Sequence, residues 1–435
     1  MKNLVFVGSH LGYPMDRTPL GGGAMVGLQL LRHWARASGG VRLIALGSGP
    51  EAPAPGVEYR RVAGEKEPDL VRMSEWAYGR FCREFERGTT AFLSERVEEL
   101  PPASTAVVVN DVAEAPDMGA LARLGYRQTT LWHVDVVDFF NRLYLGRIVP
   151  PEKLTRAYDR WERLGLGGLL PEILKLVFRK QKDAVRFSGS LVVPSRGMKE
   201  NLLRCYGEPK LEERIEVVPW GVWDEGGLSE GGAETEAGRL RALHRIGPDT
   251  RVLMTLSRIS PEKGIDLLLR ALRLVEQSLD ADLCLFVCGE PAFMRGASYA
   301  GKVRALAGRL RRTRVVFPGY LGPERKKAYF RLADLFVSPS IHESYGLSVV
   351  EAMKAGLPVL ASDHYGVREA LAESYGRVVS YASGRPEAEL ARALQELLGD
   401  PARLERMGAL AAQAARGMDF GRSAEKVLSS ALGLL

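Results

Sequence analysis

Two glutamates, Glu343 and Glu351, flank a glycine-marked turn in the run Ser338-Pro339-Ser340-Ile341-His342-Glu343-Ser344-Tyr345-Gly346-Leu347-Ser348-Val349-Val350-Glu351. An apolar strand at 335–337, a loop over 339–346 and a helix over 347–355 closed by Gly356 and Pro358 put Glu343 just before the helix. Glu351 falls on its second turn. The free N–H groups and positive dipole end of such a helix favour an anion, and Gly346 lets that anion approach the backbone. Two carboxylates beside a phosphate would be repelled by it, so their task is to accept hydrogen bonds from hydroxyls on the same ligand. Phosphate together with hydroxyls points to a nucleotide sugar. Taken singly, each carboxylate reads better as a solvated loop residue or a first-turn complement to the dipole.

A second cluster follows the strand at 253–257, where Arg258 and Lys263 leave together in Arg258-Ile259-Ser260-Pro261-Glu262-Lys263-Gly264 before an amphipathic helix over 265–277. Ligands bind at the carboxyl ends of strands in open α/β sheets, and an Arg–Lys pair can clamp a diphosphate there. A solvated basic turn fits the pair equally well when it is taken alone.

The longer string continues through Ala352-Met353, Gly356-Leu357-Pro358-Val359 and Gly366-Val367-Arg368-Glu369. It resembles the signature of the retaining glycosyltransferases of family four, members of the GT-B group (glycosyl transferases group 1). Arg258 to Gly264 is similar to that family's Arg-x-x-x-x-Lys-Gly element, with Ser257 where Gly is usual. Val217-Val218-Pro219-Trp220-Gly221-Val222 resembles its interdomain crossover, with Trp220 in place of Asn, and Met418-Asp419-Phe420 resembles the entry to its terminal helix. The likeness covers nearly the full chain. It implies that Glu343 holds sugar hydroxyls and Glu351 the ribose. It gives Arg258 and Lys263 the diphosphate, places His133 against the donor sugar, and uses the backbone amides of Tyr345, Gly346 and Leu347. Gly22 and Gly23, in the Gly21-Gly22-Gly23 cluster, would lie near the diphosphate and the acceptor. Without the resemblance His133 reads as a packed structural histidine. His342 reads as a shaping residue and His10 as a cleft-lining one, and the loop at 9–20 with Tyr13, Asp16 and Arg17 would shape the acceptor pocket.

The reaction implied is transfer of a sugar from a nucleotide diphosphate sugar to an acceptor hydroxyl, with retention and without an obligatory metal. A UDP-sugar is expected ahead of a GDP- or ADP-sugar. No residue is placed as a covalent nucleophile, so front-face attack is the route the resemblance implies. Two alternatives share the architecture: a sugar-nucleotide 2-epimerase and a non-catalytic nucleotide-sugar-binding subunit. The paired elements at Arg258–Lys263 and Glu343–Glu351 favour transfer.

These residues need a scaffold, and the alternation of apolar strands with helical stretches supplies one. At 435 residues the chain exceeds one ordinary core. The fold class expected is α/β: two Rossmann-like domains facing an interdomain cleft. Residues 1–215 would be the acceptor-side domain, completed by a terminal helix at about 418–435, and 216–417 the nucleotide-sugar-binding domain. First-half strands are expected at 4–7, 41–46, 106–109, 129–132 and 190–193, with a helix over 24–37. Second-half strands are expected at 251–256, 283–288, 315–319, 335–338 and 358–361, with a helix near 423–432. The Gly-, Glu- and Ser-rich stretch at 224–238 reads as a surface loop.

The net charge of +7 suits an anionic substrate, and no nucleic-acid module accompanies it. The densest basic cluster, Lys302, Arg304, Arg309, Arg311, Arg312 and Arg314, reads as a solvated face of a helical stretch. Residues 173–182 mix apolar and basic side chains at helical spacing. A core-facing amphipathic helix is favoured there over a peripheral contact with an anionic bilayer. Cys82, Cys205, Cys284 and Cys288 read as core thiols in a reducing, cytoplasmic setting, since no span approaches membrane length. Asp280-Ala281-Asp282 looks like a metal-binding Asp-x-Asp but falls at the wrong end of the sheet, and nothing completes a ligand set around Asp135 and Asp138.

Overall fold

The structure, a computed structural model, describes residues 2–14, 21–37, 39–62, 70, 73–146, 148–279, 281–292 and 296–435. The chain divides into two compact units, Met1–Trp220 with Phe420–Leu435, and Gly221–Asp419. Each is built on an all-parallel sheet covered by helices, the Rossmann-like arrangement expected.

In the first unit the sheet runs β3-β2-β1-β4-β5-β6-β7. Its strands are β1 (Lys2–Val7), β2 (Val41–Gly47), β3 (Glu58–Arg61), β4 (Thr105–Val109), β5 (Arg127–Leu131), β6 (Ser190–Val193) and β7 (Ile215–Val217). Residues such as Val5, Val107, Leu131 and Val192 are fully buried, because helices cover both faces of a parallel sheet. Strand β7 pairs with β6, Leu191 opposite Ile215, so the crossover begins only after this edge strand. The terminal helix Phe420–Gly433 belongs to this unit, where the Trp34 indole donates to the Ala424 carbonyl at 2.9 Å and Ser423 Oγ donates to the Pro219 carbonyl at 2.8 Å.

In the second unit the order is β10-β9-β8-β11-β12-β13, over Arg251–Leu256 (β8), Leu283–Cys288 (β9), Thr313–Gly319 (β10), Leu335–Ser338 (β11), Val359–Ser362 (β12) and Gly376–Val379 (β13). Its core gathers Leu268, Leu272 and Val275 of the helix Ile265–Val275 with Leu285, Val337 and Leu394. In each sheet the winding direction reverses beside the first strand, between β1 and β4 and between β8 and β11. Such a reversal opens a crevice outside the carboxyl ends of the two strands.

Several expectations are corrected. The stretch 224–238 is not a loop throughout: the helix Glu230–Leu243 starts at Ser229, whose hydroxyl accepts from the Gly232 amide, and Ala233, Ala237 and Leu240 are buried as it packs on the helix Pro323–Leu332. The basic cluster does not sit on one helix. Lys302 and Arg304 lie on the helix Gly296–Ala307, Arg309 to Arg312 in the following turn, and Arg314 on β10. Strands β3 and β13 were not expected. The segment 173–182 lies within the helix Glu172–Phe187, with Val177 and Phe178 in an apolar cluster and Lys180 buried against Glu86, which fits the core-facing reading. Asp135 caps the helix Val136–Tyr144 and accepts from Gln181 and Asn201, while Asp138 pairs with Arg142 at 2.6 Å. Asp282 directly precedes β9 at the amino end of the strands; Asp280, Asp16 and Arg17 lie outside the described residues. The four cysteines are free and buried. Among the described residues no helix is long and apolar enough to cross a membrane.

Candidate active site

Where β8 and β11 diverge, the loops that follow them meet. The first carries Arg258, Glu262 and Lys263, and the second carries His342, Glu343, Tyr345 and Gly346. Backbone holds the two loops together: the amides of Ile341 and His342 donate to the Glu262 carbonyl at 2.7 and 3.3 Å. Gly264 has φ +62°, and a Cβ there would stand 2.1 Å from the Pro339 carbonyl oxygen, so this approach admits only glycine. The third loop, after β12, is fixed in the same way, since a Cβ on Gly366 would overlap the Tyr345 backbone at 2.0 Å.

On this frame Lys263 forms an ion pair with Glu343. Burial pushes the Glu343 carboxyl up, but Lys263 and then His364 outweigh it, so its pKa lies below the ordinary carboxylate value. Arg258 reaches Glu262 at 3.7 Å, and Glu262 accepts from Ser260 Oγ at 2.5 Å. Gly346, at φ +91°, opens the helix Leu347–Lys354; its carbonyl accepts from the amides of Val349 and Val350 at 2.9 and 3.3 Å, which leaves those of Leu347 and Ser348 without a backbone partner among the described residues. Glu351 lies on that helix and is held by Lys326 at 2.7 Å, while the same ammonium meets Glu225 at 2.5 Å. Burial raises the Glu351 pKa and Lys326 only partly restores it. All seven second-unit residues picked from sequence, Arg258, Lys263, Glu343, Tyr345, Gly346, Leu347 and Glu351, lie on the loops that border the β8/β11 crevice or on the helix that follows them. The geometry offers cations and free amides for a diphosphate and carboxylates for hydroxyls.

His133, Gly22 and Gly23 belong to the first unit. His133 follows β5 by two residues, and Asn110, at the end of β4, bonds it at 3.1 Å. The Asn110 amide nitrogen donates to the Gly23 carbonyl at 3.3 Å, so its oxygen faces the ring and Nε2 of His133 carries the proton. Burial, then His10, pushes the His133 pKa down to about 3, which keeps the imidazole neutral. The ring lies 5.6 Å from that of Trp220, and a Cβ on Gly23 would come 2.8 Å from its Cγ. Gly23, in the first turn of the helix Gly22–Ala37, therefore makes room for His133.

At the β1/β4 reversal stands a group that sequence reading did not find. Glu114 is buried and accepts from Ser9 Oγ at 2.5 Å and the Tyr78 hydroxyl at 2.7 Å, with His10 Nδ1 at 3.5 Å. Burial and then Glu114 push the Asp111 carboxyl up to about 7. Glu225, Glu262 and Lys326 were also missed. Glu225 and Lys326 come from separate stretches of chain that no local spacing joins, whereas Glu262 lies within the Arg258–Gly264 string, four residues after the arginine it meets.

Residues 238–414 match the family described as glycosyl transferases group 1. D-inositol 3-phosphate glycosyltransferase from Nocardia farcinica is 32% identical over 252 residues, which are 58% of this chain and 54% of that protein. The chain spans about half the length of the curated relatives it matches most strongly. Among solved structures, sucrose-phosphate synthase from Thermosynechococcus elongatus aligns over 100% of this chain and 99% of its own with a TM-score of 0.72 at 18% identity. HepE from Anabaena, solved in complex with UDP-glucose, aligns over 100% of both chains with a TM-score of 0.68 at 16% identity. At such identities the likeness speaks for the fold, and the fold is GT-B.

Proposed function

We propose that this chain, whose residues 238–414 match the glycosyl transferases group 1 family, moves a sugar from a nucleotide diphosphate sugar to an acceptor hydroxyl with retention of configuration. The observation that carries the proposal is the Lys263–Glu343 ion pair at the β8/β11 reversal, beside the free amides that begin at Gly346. Lys263 and Arg258 would neutralise the leaving diphosphate together with those amides, electrostatic stabilisation that needs no metal. Lys263 has three N–H donors, so it would meet the phosphates while staying beside Glu343, and its proximity would keep that carboxylate ionised to accept from the sugar hydroxyls. Glu351 would hold the ribose. A neutral His133 would orient the sugar near the reacting carbon through hydrogen bonds, without adding charge. No carboxylate is assigned as a covalent nucleophile, so the acceptor attacks from the face the diphosphate leaves, and a phosphate oxygen takes its proton.

In this proposal the second unit is the donor side and the first unit the acceptor side, where the Asp111 and Glu114 pair would meet an acceptor hydroxyl. A UDP-sugar is the donor of choice, supported by the UDP-glucose bound to the structurally similar HepE, and the setting is cytoplasmic.

Nucleotide release with a panel of UDP-, GDP- and ADP-sugars, with and without chelator, tests the proposal. One donor should raise the melting temperature, and this should be lost in Arg258→Ala. Glu343→Gln should lower turnover by about 100-fold or more while the protein remains folded by circular dichroism. Near-normal turnover in that variant, or complete loss of activity in chelator, would refute the corresponding part.

A further inference from the structure

Between β5 and β6 the first unit inserts three helices, Val136–Tyr144, Pro151–Arg163 and Glu172–Phe187, which bury a small apolar cluster of their own around Val137, Tyr158, Val177 and Phe178. The helix Pro151–Arg163 turns Thr155 and Tyr158 inward. Its opposite face carries Lys153, Arg156, Arg160 and Arg163 at spacings of three and four residues, all exposed. None of these four cations is in an ion pair among the described residues. Of the helix's own acids, Asp159 and Glu162 both meet Lys182 at 2.7 Å and Glu152, in the first turn, is half-buried, so the helix's exposed charges are all basic. The result is a one-signed face, in contrast to the paired charges common on this protein's surface.

The apolar side chains at the end of the same helix are equally unusual. Trp161 is 44% exposed and Leu164 64%. Gly165, at φ +73°, then reverses the chain into the short turn Leu166–Leu169, which leaves Leu169 76% exposed and Leu166 half-exposed. Four large apolar side chains thus meet water within nine residues, and no described residue of the unit covers them. A soluble surface scatters such residues singly; gathered beside unpaired cations, they match a surface that is anionic outside and apolar a few ångströms deeper. Trp and long basic side chains suit that boundary, because each has an apolar body and a polar end.

We propose that this tip docks peripherally on an anionic phospholipid bilayer, with the cations of the helix Pro151–Arg163 against the headgroups and Trp161, Leu164 and Leu169 inserted at the acyl boundary. The contact is distinct from residues 173–182, whose Val177, Phe178 and Lys180 are committed to the interior. It stands independently of the transfer chemistry and places that chemistry at a lipid surface.

The test is co-sedimentation of the full chain with phosphatidylcholine vesicles, with and without phosphatidylglycerol, at low and high salt. Binding is expected only with phosphatidylglycerol, weakened by salt. Arg156→Ala with Arg160→Ala should reduce it by on the order of 25-fold, at roughly fivefold per charge. Trp161→Ser with Leu164→Ser should reduce it at least about tenfold without lowering the melting temperature. A polarity-sensitive dye on Leu169→Cys should shift to the blue with anionic vesicles, and one on the comparably exposed Leu243→Cys should not. No binding to anionic vesicles, binding unchanged in both double variants, or an equal dye response at the two positions would each overturn the proposal. So would capture of a soluble acidic protein by this face in place of vesicles.

Discussion

Lys326 holds two largely enclosed carboxylates, Glu225 and Glu351, 17% and 19% exposed, and among the described residues neither has another ammonium as close. Lys326→Met would leave both acids facing each other without compensation, which typically costs about 3 kcal/mol. The Glu351 pKa should rise further, and the KM for donor should increase about tenfold while kcat changes less. A variant with wild-type stability and KM would show that Glu351 needs no such support. His133 offers a test by pH. Its pKa is about 3 in the fold and near 6.5 in an unfolded chain, so from about pH 6.5 down to pH 3 the unfolded state binds the extra proton and stability falls. The slope is at most about 1.4 kcal/mol per pH unit, and His133→Gln should remove it. Asp111 acts with the opposite sign up to its pKa of about 7, and subtracting the variant's denaturation curves from those of the wild type cancels that contribution. Parallel curves would sink the assignment. Glu343, Glu351, Arg258 and Lys263 were legible because each pair falls within one short string, and the resemblance carried by the whole string marked residues that taken singly read as solvated. Lys326 and Glu225 were not, because only tertiary packing brings them to Glu351.

The site also depends on how closely two loops approach. Gly264 lets the β8 loop lie against the Pro339 carbonyl. Gly264→Ala should cost about 2 kcal/mol or more, from positive φ and overlap together, and should weaken donor binding as the loops separate. Thermal melting read beside a donor titration measures both effects, and an alanine variant that melts and binds like the wild type would mean the loops adjust freely. At this scale the central strands could be read directly, since β1, β4, β8, β9 and β11 are continuous apolar runs buried on both faces. The edge strands β3 and β13 could not, because Glu58-Tyr59-Arg60-Arg61 and Gly376-Arg377-Val378-Val379 mix polar and small residues. The helix Glu230–Leu243 was hidden by Gly231, Gly232 and Gly238, which are poor helix formers. Packing of Ala233, Ala237 and Leu240 supplies what propensity lacks.

Across the molecule, the chain leaves the first unit at Trp220, builds the whole second unit, and returns at Phe420. The returning helix buries Phe420, Ala424, Val427 and Ala431 and satisfies the Trp34 indole. Removing residues 420–435 should therefore destabilise the first unit selectively, splitting thermal unfolding into two transitions of which the lower is protease-sensitive at 1–220. A single unshifted transition would show that the helix is dispensable. The return was legible in the residues around Met418-Asp419-Phe420, although the contacts that anchor it, such as Ser423 to Pro219, were not.

That return has a consequence for biosynthesis. The second unit is continuous in sequence and can close as soon as it leaves the ribosome, whereas the first, although made earlier, lacks its last helix until Phe420–Gly433 has emerged. At roughly 5–20 residues per second, the intervening segment occupies the ribosome for on the order of 10–40 s. Throughout that interval the nascent first unit exposes the apolar groove around Trp34, and it becomes a client for holdase chaperones that a protein folding strictly from its amino end would not need.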